Sequence, residues 1–171
     1  ELAYQDLLKD SANDAEAIRN VWWSIPAEDR VKAYIAAHAA EAFTKRGLQD
    51  EARAIVEKAL AVEWDDRLLR AYRAAAADEG SPALLAQIER CEVWCKKHPN
   101  DAELALTLGT LCLRQNLWGK AQRQLEQALS DASGPRMLQE VHLKLAQLHE
   151  ALNHTEEAAA HYRQCAFATT L

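Results

Sequence analysis

AELALTLGTLCLRQNLWGKAQRQLEQALSDASGP, residues 102–135, decides the fold. Leu108-Gly109 and Cys112 lie before Asn116; Ala121, Leu125 and Ala128 follow it. The offsets place one apolar stripe on a helix, a turn at Asn116, and a second stripe on another helix. Gly109 and Ala121 are expected to face each other where the two helices cross closely, since neither position then has room for a large side chain. Leu125 and Ala128 are expected on the inner face of the second helix. Asn at the turn fits the left-handed conformation that ends many helices.

The frame recurs, and its period is that of a tetratricopeptide repeat. Upstream, Ala40, Phe43 and Gly47 precede Ala52, Val56 and Ala59. Downstream, Ala146, His149 and Asn153 precede Ala158, Tyr162 and Cys165. Gly47, Asn116 and Asn153 share one turn position. A degenerate copy lies between, with a first helix from about Asp66 to Asp78 ended by Gly80. Ser81-Pro82 starts its second helix as N-cap and first-turn proline. Ala86, Arg90 and Val93 fall near the frame positions there, and the helix stops before Pro99. The alanines 52, 86, 121 and 158 are spaced by 34, 35 and 37 residues, the last gap holding Ser133-Gly134-Pro135. The expected fold is all-α, a tetratricopeptide-type solenoid of antiparallel helix pairs in a right-handed superhelix. Its parts are a lead-in over 1–31, repeat 1 over 33–66, degenerate repeat 2 over 67–100, repeat 3 over 102–135 and repeat 4 over 139–171. In the lead-in, a helix is expected from about Asp14 to Trp23, with Asn13 and Glu16 as a capping box. Leu2, Tyr4, Leu7 and Leu8 read as the remnant of a helix before it.

Composition removes several function classes. Ala, Leu, Glu, Arg and Gln are strong helix formers, and strand-like alternation of β-branched residues is missing. The net charge is −6 with the signs interspersed, unlike the basic stripe of a nucleic-acid binder, so no nucleic-acid partner is expected. No apolar run reaches the roughly 20 residues of a membrane span. Four cysteines, at 91, 95, 112 and 165, lack a disulfide-scaffold spacing and point to a reducing compartment. The chain begins at Glu1 without Met and reads as a soluble piece of a longer protein.

Trp23-Ser24-Ile25-Pro26, then Arg30, leads into an Ala-rich helix. Gly47, Asp50-Glu51-Ala52, Leu60 and Trp64-Asp65-Asp66-Arg67-Leu68 follow. This order resembles the C-terminal tetratricopeptide region of HemY, a proteobacterial inner-membrane protein associated with late heme biosynthesis. The resemblance is sharpest over residues 22–69. It implies a bacterial inner-membrane location through N-terminal transmembrane helices, with this part on the cytoplasmic side. It also implies late heme-biosynthesis enzymes as partners. It brings no catalytic residues. The flavoenzyme that shares the name in some bacteria is excluded, because no Gly-x-Gly-x-x-Gly fingerprint is present.

No triad, paired-carboxylate pocket or phosphate loop emerges, so no enzyme activity, cofactor or metal is expected. Cys91 and Cys95 share a helix face at i, i+4 but make an incomplete zinc set, and Cys112 and Cys165 fall on core positions. His142, His149, His154 and His161 gather in repeat 4. Heme or porphyrin binding there is the alternative reading, although His149 sits at a position usually filled by core. Trp22, Trp23, Trp64, Trp94 and Trp118 read first as core, and an exposed one as a partner anchor.

The first helices are expected to line a partner-binding groove. Repeat 1 would contribute Tyr34, Ala37, Glu41, Thr44 and Lys45, and repeat 2 Leu68, Ala71, Ala75 and Asp78. Repeat 3 would contribute Glu103, Leu106, Thr110, Leu113 and Arg114, and repeat 4 Glu140, Leu143, Gln147 and Glu150. Ala and Glu stand where carboxylate-gripping adaptors carry Lys and Asn, so an apolar or basic-amphipathic helix is the expected ligand. The expected function is a non-catalytic protein-protein interaction scaffold, with a general adaptor of cell-envelope assembly as a further alternative.

Overall fold

The protein is described here from a computed structural model, which covers residues 3–4 and 15–168. Among the described residues every regular element is an α-helix. Asn13, Leu2, Leu7 and Leu8 lie outside the described residues, so the expected capping box and the helix remnant are not placed.

The chain divides into two compact units, Glu1–Ala77 and Asp78–Leu171. The first holds α1 (Ala15–Ser24), α2 (Ala27–Arg30), α3 (Ala33–Lys45), α4 (Gln49–Leu60) and α5 (Asp66–Ala74). Helix α3 is its centre and packs on α4, α5 and α1. Ile35, Ala36, Ala39, Ala40 and Phe43 of α3 are buried, as are Ala52, Val56 and Ala59 of α4. The alanines let the helices approach closely, and Phe43 packs edge-on to buried Trp22 of α1, with ring centroids 6.4 Å apart.

The second unit holds α6 (Pro82–Lys97), α7 (Ala102–Arg114), α8 (Trp118–Asp131), α9 (Pro135–Ala151) and α10 (Thr155–Ala168). Here α6 packs on α7, α7 on α8, α8 on α9 and α9 on α10. Ala121, Leu125 and Ala128 are fully buried, as their spacing predicts. A methyl group at Gly109 would meet the Leu125 side chain at 2.8 Å, so Gly109 makes room for Leu125, one turn after Ala121 on α8.

One turn is used three times. Gly47, Asn116 and Asn153 all have φ between 59° and 75°. At each, the left-handed residue donates its N–H three residues back, and the next residue donates five back. The pairs are Gly47–Thr44 with Leu48–Phe43, Asn116–Leu113 with Leu117–Cys112, and Asn153–Glu150 with His154–His149. This double bond satisfies carbonyls orphaned at the helix end, and glycine or asparagine pays least for the backbone angle.

The degenerate copy departs from its frame in two ways. Helix α5 stops at Ala74, before the expected Asp78. The Ala75 carbonyl is taken at 2.8 Å by the guanidinium of Arg53, a buried cation on α4. A cation at a helix C-terminus complements the dipole and replaces the next helical turn. Gly80, at φ +75°, belongs to the loop beyond and does not end the helix. In α6 the buried side chains are Leu84, Gln87, Ile88 and Cys91, whereas Ala86, Arg90 and Val93 are exposed. The expected register is therefore two residues out. Leu84, Ile88 and Cys91 occupy the i, i+4, i+7 places that Ala52, Val56 and Ala59 hold in α4. The Ser81 cap is as expected, its Oγ accepting from the Leu84 N–H.

Candidate functional site: the first-helix faces

In the first unit, α3 and α5 enclose a groove of about 530 Å³. Tyr34, Ala37, His38, Glu41, Thr44 and Lys45 line one wall, and Arg67, Arg70, Ala71 and Ala74 the other. Six of the expected residues thus meet: Tyr34, Ala37, Glu41, Thr44, Lys45 and Ala71. Leu68 and Ala75 do not. Both are fully buried, because Leu68, Leu69, Tyr72 and Ala75 form the inward stripe of this segment. The opposite stripe, Arg67, Arg70, Ala71 and Ala74, faces the groove. Its i, i+3, i+4, i+7 spacing is readable in the sequence, but the repeat frame masks it.

This changes the chemistry of the wall. Glu41 is the one carboxylate among the lining residues, beside Lys45, Arg67 and Arg70. Lys45 reaches Glu41 at 2.7 Å across one exposed turn, a pair of small energetic weight. Arg67 donates to the Asp65 carboxylate at 2.8 and 3.0 Å, and Asp65 also accepts from the Arg67 N–H as N-cap of α5. These bonds hold the Asp65 carboxyl below its usual range. The groove is net cationic in a chain whose total charge is −6. This excess of cations differs from the mostly apolar wall with acidic spots expected from sequence.

The first-helix face of the second unit is built differently. Glu103 and Leu106 are buried, and Thr110 and Leu113 are half-buried. Arg136 of α9 pairs with Glu103 of α7 and with Glu140 one turn along its own helix, 3.4 Å away. Leu143 and Gln147 are half-buried and Glu150 is exposed, its carboxylate accepting from the Tyr162 hydroxyl at 2.8 Å. Arg114 lies 3.5 Å from Asp78, both exposed.

The four histidines of the last helix pair do come together. The Nδ1 atoms of His142 and His161 are 3.0 Å apart, and those of His149 and His154 are 3.3 Å apart. His149 stacks on His161 at 5.4 Å between ring centres. His149 is half-buried, not core. Burial lowers the pKa of His142 and of His161, and His142 and His149 add to the effect on His161. Among the described residues no group of three or more His, Cys, Asp or Glu is arranged to hold a metal ion.

The cysteines are all free. Cys91 and Cys112 are buried, and burial pushes the Cys112 thiol up to about 11. Burial raises Cys95 as well, so neither thiol is activated as a nucleophile. Cys165 is half-buried, less enclosed than its frame position predicts. Of the tryptophans, Trp22 is buried and Trp64, Trp94 and Trp118 are half-buried, whereas Trp23 is 63% exposed.

Helix pairs joined by this turn, with small residues at their crossings, define an all-helical repeat of tetratricopeptide type. Solved structures share it. A crystal structure of MamA matches with a TM-score of 0.55 at 16% identity, over 90% of this chain and 87% of that one. A second crystal structure of MamA matches at 0.54 and 16%, over 98% and 90%. The MamA MSR-1 C2 structure matches at 0.52 and 15%, over 98% and 93%. At such identity the likeness concerns the fold. No family model and no curated protein matches the sequence.

Proposed function

We propose that this chain is a non-catalytic protein-interaction scaffold, and that its α3–α5 groove holds an acidic segment of a partner protein. The groove carries the reading. Its floor is Ala37, Ala71 and Ala74, small enough for a peptide backbone to approach, and its rim carries Lys45, Arg67, Arg70 and His38, with Glu41 beside Lys45 and Asp65 beside Arg67. Charge complementarity of this kind sets partner choice and on-rate. Fluorescence anisotropy with an Asp/Glu-rich peptide and its Asn/Gln counterpart tests it. The acidic peptide should bind more tightly, lose affinity with added salt, and weaken about tenfold in an Arg70→Gln, Lys45→Gln double variant. Equal binding of the neutral peptide ends the proposal.

We further propose that the partner belongs to late heme biosynthesis at the cytoplasmic side of a bacterial inner membrane. This rests on the HemY-like order of residues 22–69. The expected result is that the domain, used as bait in a proteobacterial lysate, retains a late heme enzyme. Retention of other proteins only, by bait competent for the acidic peptide, counts against the pathway. No helix among the described residues is long and apolar enough to cross a membrane.

A second reading, a heme or porphyrin carrier, is favoured by the contact among His142, His149, His154 and His161. Heme titration should then give a saturable Soret shift that disappears when the four are replaced. A shift that persists in the replaced protein removes them as ligands.

A further inference from the structure

A second pocket of the first unit, of about 300 Å³, lies between α1, α2 and α4, away from the groove residues. Trp22, Trp23, Phe43 and Ile55 give it apolar walls, and Arg30 and Lys58 stand at it as cations. Its one carboxylate, Glu51, is already engaged: Arg19 donates to it through Nε and Nη2 at 2.5–3.0 Å. Arg30 is not. Its guanidinium lies over the Trp23 ring, 4.5 Å from the centroid. Its Nε is shut off from water without an acceptor, and among the described residues the Arg30 guanidinium makes no hydrogen bond or ion pair. Lys58 likewise has no ionic partner among them.

Stacking on an aromatic face holds a guanidinium flat and leaves its in-plane N–H groups aimed sideways, the geometry that receives a carboxylate on two parallel bonds. An exposed tryptophan that orients an unused arginine beside three more apolar side chains is an arrangement core packing does not require. The volume is at the low end for small-molecule sites. We propose that this pocket binds a small amphipathic carboxylate: an aromatic or short acyl body lying against Trp22, Phe43 and Ile55, with its single carboxylate on Arg30 and Lys58. A neutral body of the same shape loses the charge-assisted bonds. An amine of that shape meets two cations.

The test uses indole-3-acetate as the probe and the corresponding neutral alcohol, indole-3-ethanol, as its match. Binding is followed by the five tryptophan indole N–H signals in a two-dimensional NMR titration, assigned by single Trp→Phe changes. The acid should shift the Trp22 and Trp23 signals saturably, and the alcohol should bind about tenfold more weakly or worse. Arg30→Gln should weaken the acid about tenfold and leave the alcohol unchanged. Lys58→Gln, on an exposed residue that the fold does not need, should weaken it about threefold, and it keeps the test decisive if Arg30→Gln disturbs α2. Equal affinity of acid and alcohol, shifts indifferent to Lys58→Gln and Arg30→Gln, or no saturation up to about 10 mM overturns the proposal. The acidic-peptide experiment reads other residues, so either proposal can fail alone.

Discussion

The first-helix face of the N-terminal unit carries Lys45, Arg67 and Arg70 around an alanine floor. The corresponding face of the C-terminal unit buries Glu103 and ties it, with Glu140, to Arg136. Both units use one turn and one rule for small residues at crossings. The repeat fixes where the backbone goes and which positions must be small, and it leaves the outward stripe free to vary. One face turns its charges toward the groove, while the other ties a buried carboxylate to an arginine. A buried carboxylate held by arginine shapes structure, whereas cations lining a groove bias which partner charge it favours.

The largest expected effect belongs to a residue peculiar to the first unit. Arg53 is 7% exposed, donates to the Ala75 carbonyl at 2.8 Å and pairs with Asp50. Arg53→Met keeps much of the volume and removes the donor, so the C-terminal carbonyl of α5 loses its partner. A hydrogen bond from a charged group contributes about 1.5–3 kcal/mol. Urea unfolding should show a loss in that range, with α5 losing hydrogen-exchange protection first. A variant as stable as the parent would mean that α5 ends at Ala74 for another reason.

Next comes the shared rule. Ala121→Leu adds volume at a fully buried crossing, and overpacking of that kind costs about 1–3 kcal/mol. Ala86→Leu is the informative contrast. The repeat frame read from sequence treats positions 86 and 121 alike, yet Ala86 is exposed. Its substitution should change stability by no more than about 0.5 kcal/mol. Comparable losses at both positions would mean that Ala86, like Ala121, sits at a helix crossing.

These two sites show what the sequence could convey. Turn chemistry is local, so Gly47, Asn116, Asn153 and the Ser81 cap were legible as they stand. The alanine frame was legible where small residues truly sit at crossings, in α4 and α8. It misled in α6, because Ala86 matches the frame by identity while Leu84, Ile88 and Cys91 carry the burial. In α5 the same frame hid the outward Arg67 and Arg70, so the groove was expected to be more apolar than it is. Arg53 was invisible because an arginine one place after an inward alanine reads as solvent-facing; only the placement of α5 shows what it caps. The histidine cluster was visible as four residues, but the facing Nδ1 atoms depend on how α9 and α10 cross.

The smallest expected effect separates the two units by pH. In the second unit, His142 and His161 have folded pKa values below the ordinary 6.5, mainly through burial. A base whose pKa is lowered by folding binds fewer protons in the native state than in the unfolded chain. Stability is then complete above about pH 6.5 and declines as pH falls through that value toward the lowered folded pKa values. Glu126 opposes the shift at His161, and both rings keep some contact with water, so the decline is modest. In the first unit the shifted groups that titrate in acid are carboxylates. Glu51, held by Arg19, and Asp65, held by Arg67, lie below their ordinary 4.5 and 3.8. Their contribution is complete above those values and is lost only as pH falls below them. Between pH 7 and pH 5.5, hydrogen exchange corrected for its intrinsic pH dependence should therefore accelerate in α9 and α10 while α3–α5 stay unchanged. Replacing His142 and His161 with Gln should flatten the change in α9 and α10. Equal acceleration in both units, or acceleration that survives the double replacement, would show that the acid sensitivity does not arise from the histidine pair.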